Sequence, residues 1–113
     1  MKIIYNNIKW CSFTLKVVHC QKEPYDVYIG RPSMWGNPFS HKENTIAEFK
    51  TKDSKDTLMS YRTWLFDKLD DVVFREEFVN ALDGKTLGCW CHPQPCHGDI
   101  IIEAINMIKL GVI

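Results

Sequence analysis

The sequence predicts a small single-domain α/β fold over residues 1–113, with a partly parallel sheet flanked by helices. Three observations predict it. A chain of 113 residues suits one compact core and leaves no room for a second. Short β-branched runs alternate with longer stretches whose apolar residues recur at three- and four-residue intervals. Gly, Pro and Asn gather between the two kinds of segment, where the chain must reverse.

Residues 14–20 (TLKVVHC) are β-branched and apolar and read as the first strand. Residues 21–25 (QKEPY) make a polar connection broken by Pro24, and residues 26–29 (DVYI) read as a second strand that stops at Gly30. Residues 31–40 hold two prolines, a glycine and an asparagine, which predicts an ordered loop. Residues 41–55 are polar and lysine-rich without a strong period, and read as a surface excursion with a short helical turn near residues 46–49. Leu58, Tyr61, Leu65 and Leu69, with Trp64 beside them, trace one face of a helix that begins near Ser54, with Asp53 or Ser54 as its N-cap. Val72, Phe74, Phe78, Val79 and Leu82 mark a second helix over residues 72–82, stopped by Gly84. Residues 85–91 (KTLGCWC) read as a strand running into a proline-punctuated loop. A last helix extends from His97 to Leu110, with Ile101, Ile105 and Ile108 inward and Gly111 at its C-terminal cap. The order β, β, loop, α, α, β, loop, α is that of a layered α/β sheet.

Composition narrows the function classes. Fourteen basic and fourteen acidic residues give a formal net charge of zero, which argues against a nucleic-acid binder that works by phosphate neutralisation. No run approaches the ~20 apolar residues of a membrane span, and the N-terminal MKIIYNNIKWCSF does not read as a signal peptide. The five cysteines are odd in number, and Cys89, Cys91 and Cys96 lie too close together for an ordinary disulfide framework. Reduced thiols in a cytoplasmic protein are the expectation.

Two segments carry the chemistry. The first runs from Cys89 to Asp99 (CWCHPQPCHGD), where a strand turns through two prolines into the final helix. Alternation puts Cys89 and Cys91 on one strand face and Trp90 on the other. A helix N-terminus exposes unpaired N–H groups and partial positive charge, which favours a Cys96 thiolate or an anionic ligand group. Three readings stay open. In a ligand or catalytic site, Cys96 is nucleophile or contact, His97 or His92 moves protons, and Asp99 caps the helix or orients a hydroxyl. In a metal site, Cys89, Cys91, Cys96 and His97 form a zinc set, although C-x-C spacing is unusual and the adjacent Cys96 and His97 point apart. In a purely structural turn, Cys89 and Cys91 are small buried hydrophobes and Asp99 a first-turn helix acid.

The second segment runs from Tyr28 to Phe39 (YIGRPSMWGNPF). Gly30 allows close approach of backbone to a ligand. Arg31 offers a planar, two-pronged donor to phosphate or carboxylate. Ser33 and the amides near Trp35 and Gly36 add donors, Asn37 can bond its own turn or read a base edge, and Trp35 offers a stacking surface. The competing reading is a packed loop in which Trp35 and Phe39 plug the core and Arg31 makes an internal salt bridge. Neither common glycine-rich phosphate-binding fingerprint occurs. Elsewhere the structural reading is preferred: His19 and Cys20 at a strand end, the lysines of residues 42–55 as a solvated face, Tyr61 and Trp64 as core, and Cys11 as unremarkable.

Taken together, V-V-H-C…Y-D-V-Y-I-G-R-P-S-x-W-G-N-P-F and G-K-x-L-G-C-W-C-x-P-x-P-C-H-G-D resemble the family called Domain of unknown function 4326, over residues 17–103. That family occurs in bacteria and their viruses. The strand–loop–Cys-His–helix ending is similar, more distantly, to Domain of unknown function 488. The resemblance implies an α/β fold and singles out Arg31, Asn37, Cys91, Cys96, His97 and Asp99. A viral setting implies nucleotide metabolism, DNA modification or interference with host nucleotide signals.

The leading expectation is a pocket for a nucleotide, nucleoside or phosphosugar. Gly30, Arg31, Ser33, Trp35, Gly36, Asn37 and Cys91 bind the ligand there, and Cys96, His97 and Asp99 serve any transferase or hydrolase step. The alternatives are a zinc-stabilised module that binds nucleic acid or protein, and a phage protein that sequesters nucleotide signals without turnover. The expected partner is a nucleotide-like small molecule, with nucleic acid disfavoured and no membrane association.

Overall fold

In the computed structural model, which describes residues 15–40, 49–50 and 53–113, β5 (Thr86–Cys89) lies between β1 (Lys16–His19) and β2 (Val27–Tyr28). Both pairings are parallel, with Lys16 opposite Thr86, His19 opposite Cys89, and Tyr28 opposite Gly88. The Cys20 and Ile29 amides carry the pairing on, donating to Cys89 and Gly88. All three strands therefore end at one edge, the edge where parallel α/β sheets bind ligands.

The strands are shorter than predicted but lie inside the predicted segments. The region read as an irregular loop and surface excursion also contains structure. Within it, β3 (Phe39–Ser40) and β4 (Phe49–Lys50) form a separate two-stranded parallel pair. A two-residue strand is too short to show alternation, so the sequence carried no period for it. Most of the helical turn expected near residues 46–49 lies outside the described residues, as does Cys11; Phe49 itself is in β4.

Helix α1 (Ser54–Lys68) starts at Asp53, whose carboxylate accepts from the Asp56 amide. Helix α2 (Val72–Leu82) is capped in the same way by Asp71 to the Val73 amide. Gly84, with φ of 75°, follows it as expected. Helix α3 (His97–Lys109) ends before Gly111, whose φ of 76° is the left-handed turn that glycine tolerates. Its buried residues Ile101, Ala104 and Ile105 meet Tyr61, Leu65 and Leu69 of α1, Phe78 and Leu82 of α2, and Val17, Ile29 and Leu87 of the sheet in one core. The single α/β domain is as predicted.

One close approach sets the position of α3. A side-chain carbon at Gly98 would lie 2.7 Å from Val17 Cγ2 and 3.0 Å from Ile29 Cδ1. Glycine alone lets the helix tip seat this closely on the sheet. Among the described residues, no helix is long and apolar enough to cross a membrane.

Candidate functional site

A cleft of about 870 Å³ opens at the carboxyl edge of the sheet, within the ~300–1,000 Å³ typical of small-molecule sites. Gly30, Arg31 and Asn37 line it from the loop after β2, and Lys55, Thr57 and Leu58 from the start of α1. Cys89, Trp90, Cys91 and Gln94 line it from the turn after β5, and Cys96 and His97 from the tip of α3. The two predicted segments, distant in sequence, thus share one concavity. The Arg31–Pro32 and His92–Pro93 peptide bonds that border it are both cis.

Among the described residues Arg31 makes no salt bridge. Its Nε donates to the Asn37 carbonyl at 2.7 Å and a terminal nitrogen donates to the Phe39 carbonyl at 2.9 Å. The guanidinium thereby fixes the loop while bringing positive charge to the cleft. Asn37 bonds its own turn, its Oδ1 accepting from the Phe39 amide at 2.8 Å.

Cys96 is the N-cap of α3. Its sulfur accepts from the Gly98 amide at 3.3 Å, and the Asp99 carboxylate reaches back to the Cys96 amide at 3.1 Å, completing a capping box. The Cys89 thiol donates to Cys96 Sγ at 3.1 Å. That bond, helped by the Gly98 and Asp99 amides, holds the Cys96 thiol below the usual range, against burial and the nearby Asp99 carboxylate. At Cys89 the interaction with Cys91 works to lower the thiol, but the bond to Cys96, burial and the Cys96 charge outweigh it and push the thiol up to about 11. The pair is therefore unequal, with the anion favoured on Cys96.

His97 is buried, and burial holds its imidazole below the ordinary range; the Arg31 charge adds to this, while the Ile29 carbonyl and Asp99 oppose it. Nε2 lies 2.7 Å from the Ile29 carbonyl. A carbonyl only accepts, so Nε2 carries the proton and Nδ1 keeps a lone pair. The Tyr61 ring stands edge-on to the imidazole at 5.2 Å, and its hydroxyl donates to the Trp35 carbonyl at 3.0 Å.

Several predicted site residues stand elsewhere. Trp35 is 7% exposed and packs edge-on to Phe74 and Phe78 of α2, so its ring belongs to the core and offers no stacking face. Ser33 and Gly36 are not among the cleft-lining residues. Gly36 packs so tightly on the backbone at Gly30 and Arg31 that a side-chain carbon would lie 3.0 Å from the Gly30 carbonyl oxygen. Asp99 is engaged in the capping box and, like His92, does not line the cleft. Cys91 lines the cleft but is exposed, because the strand ends at Cys89 and alternation no longer holds beyond it. The four-ligand metal set accordingly reduces to three: donor atoms of Cys89, Cys96 and His97 all lie within 4.8 Å of one another.

Of the lining residues that the sequence did not single out, Trp90 and Lys55 bear most on ligand chemistry. Trp90 is 53% exposed, donates from its indole nitrogen to the Tyr28 hydroxyl at 2.8 Å, and meets His19 edge-on. Its signal was the alternation that set it opposite the buried Cys89. Lys55 is exposed, as expected of a solvated face, and it also lines the cleft from its place just inside the Asp53 cap of α1.

The family model described as Domain of unknown function (DUF4326) matches residues 15–107, both cleft-forming segments included. The chain belongs to this family. It is also 33% identical, over 97 residues, to the phage T4 protein described as "Uncharacterized 12.4 kDa protein in nrdA-td intergenic region", covering 82% of this chain and 79% of the relative. No solved structure matches this DUF4326 chain.

Proposed function

We propose that the cleft of this DUF4326 domain binds a small ligand of the nucleotide, nucleoside or phosphosugar class, a nucleotide fitting best because it carries both an anionic group and a flat base. The observation that carries the reading is that Arg31 and Lys55 share one cleft with the half-exposed indole of Trp90. Two cations suit a phosphate. An indole already held by Tyr28 suits a base, because its rotamer is fixed before the ligand arrives.

Calorimetric titration with nucleosides, nucleotides and sugar phosphates, alongside tryptophan fluorescence, tests the reading. Binding of phosphorylated ligands is expected, with Lys55→Ala weakening them and leaving unphosphorylated nucleosides little changed. Chromatography of the ligand after incubation separates turnover from sequestration. Absence of heat and of fluorescence change across the whole panel at millimolar ligand would overturn the reading.

A further inference from the structure

We propose that Cys89, Cys96 and His97 bind one zinc ion, with the fourth coordination position open to the cleft. The site stands independently of the ligand reading. Two sulfurs and an imidazole are an ordinary zinc donor set, and three protein ligands with one open position is the pattern of reactive rather than structural zinc. All three residues are buried, and all three line the cleft.

The distances are close to those required. With Zn–S near 2.3 Å and tetrahedral angles, the sulfurs stand about 3.8 Å apart. The present 3.1 Å separation of the Cys89 and Cys96 sulfurs needs an opening of less than about 1 Å, and a ring nitrogen of His97 already lies within 4.8 Å of both. Deprotonating Cys89 removes the hydrogen bond that draws the sulfurs together, so metal binding itself supplies that opening.

A second, independent observation is the set of groups behind the donors. His97 gives its Nε2–H to the Ile29 carbonyl, as metal-bound histidines commonly do, leaving Nδ1 as the ligand atom. Cys96 Sγ accepts from the Gly98 amide and Cys89 Sγ from the Cys91 amide, each at 3.3 Å, so both sulfurs have backbone donors suited to thiolates. A cysteine at the N-cap is itself informative. Capping alone is better served by the oxygen of Ser, Thr, Asp or Asn, so sulfur at this position serves a purpose that capping does not require. The open position faces a cleft large enough for water and a small molecule, and a zinc there would polarise a ligand oxygen or acidify a bound water.

The test is metal analysis of the full chain purified under a phosphine reductant, together with cobalt substitution. About one zinc per chain is expected, and the cobalt form should show thiolate-to-metal charge transfer with tetrahedral visible bands. Cys96→Ser keeps an N-cap oxygen for the Gly98 amide, so it should retain the far-ultraviolet circular dichroism of the parent while losing zinc affinity at least about tenfold. Cys91→Ser should retain the ion. Reduced protein that takes up less than about 0.1 zinc per chain from micromolar zinc would overturn the site, as would undiminished zinc in Cys96→Ser. Loss of zinc in Cys91→Ser would replace the open site by a closed four-ligand one. None of these readouts involves a nucleotide, so they fail or succeed apart from the ligand titration.

Discussion

The sulfurs of Cys89 and Cys96 lie 3.1 Å apart, joining the end of the central strand to the first residue before the last helix. The two residues nonetheless sit in different surroundings. Both belong to the core cluster and both sulfurs accept from a backbone amide, but only Cys96 stands at a helix N-cap, where an oxygen is the preferred acceptor. Serine substitution should separate them. In chelator-treated protein, Cys96→Ser should be neutral or slightly stabilising, because a hydroxyl caps at least as well as a thiol. Cys89→Ser should cost about 1–3 kcal/mol, because it buries a hydroxyl at a strand position where no capping preference offsets the desolvation. Urea unfolding of the two variants measures the difference, and equal midpoints would refute it.

The two tryptophans of the functional segments should behave in opposite ways. Trp35→Ala empties a site ringed by Phe74 and Phe78 and should destabilise the fold by about 3–5 kcal/mol. Trp90→Ala should cost the fold far less, yet weaken a base-bearing ligand by about 1–3 kcal/mol, the range found for stacked bases. Denaturation curves and calorimetric affinities for both variants check the pair.

Tyr61 makes stability depend on alkaline pH. Burial, with a smaller contribution from the Cys96 charge, raises its phenol well above the ordinary value of about 10. The folded state thus keeps a proton that the unfolded state releases. The resulting stability is fully present below pH ~10 and declines as pH rises further. Ultraviolet titration should show one tyrosine ionising only as the protein unfolds, and Tyr61→Phe should flatten the alkaline slope of the urea midpoint. An unchanged slope would show that the phenol is not the group responsible.

Lys109 has a nearly inaccessible side chain whose ammonium lies 2.6 Å from Asp83, the residue that ends α2. Asp83→Ala takes a carboxylate from beside a nearly inaccessible ammonium and should be clearly destabilising, by about 1–3 kcal/mol. Lys109→Met should be much milder, because it removes the charge and keeps the apolar stem. A thermal melt of each variant distinguishes the two cases.

Arg31 combines a structural and an electrostatic role that Lys can only half replace. Arg31→Lys keeps the charge but loses the fork that spans the Asn37 and Phe39 carbonyls, which should cost about 1–2 kcal/mol of stability. Phosphorylated ligands should bind Arg31→Lys better than Arg31→Ala. Identical affinities would argue that the charge contributes nothing to binding.

The helices could be read from the chain because each records its own reasons: Tyr61, Leu65 and Leu69 repeat along one face, and Asp53, Gly84 and Gly111 mark ends. The meeting of Arg31 with Cys96 was inferred from the rule that parallel sheets bind at their carboxyl edge, and both residues do line one cleft there. What escaped depends on tertiary packing. Trp35 and Trp90 both lie in turn-rich segments, and only the position of Phe74 and Phe78 on α2 decides which ring is taken into the core. The β3–β4 pair escaped because its contacts join two dipeptides across intervening chain, with no local pattern to record them. Lys55 escaped because lysine on a polar stretch is ordinarily solvated, and its proximity to the cleft follows from where α1 begins.

The middle strand of the three-stranded sheet is also its last to be synthesised. On a ribosome, β1 and β2 emerge before the strand that joins them, and among the described residues it is Thr86–Cys89 that supplies their sheet partners. The same late segment delivers Cys89, and α3 follows directly with Cys96 and His97. A nascent chain stalled before β5 should therefore be unprotected against proteolysis and blind to any ligand, acquiring shelter and recognition together in a single closing event.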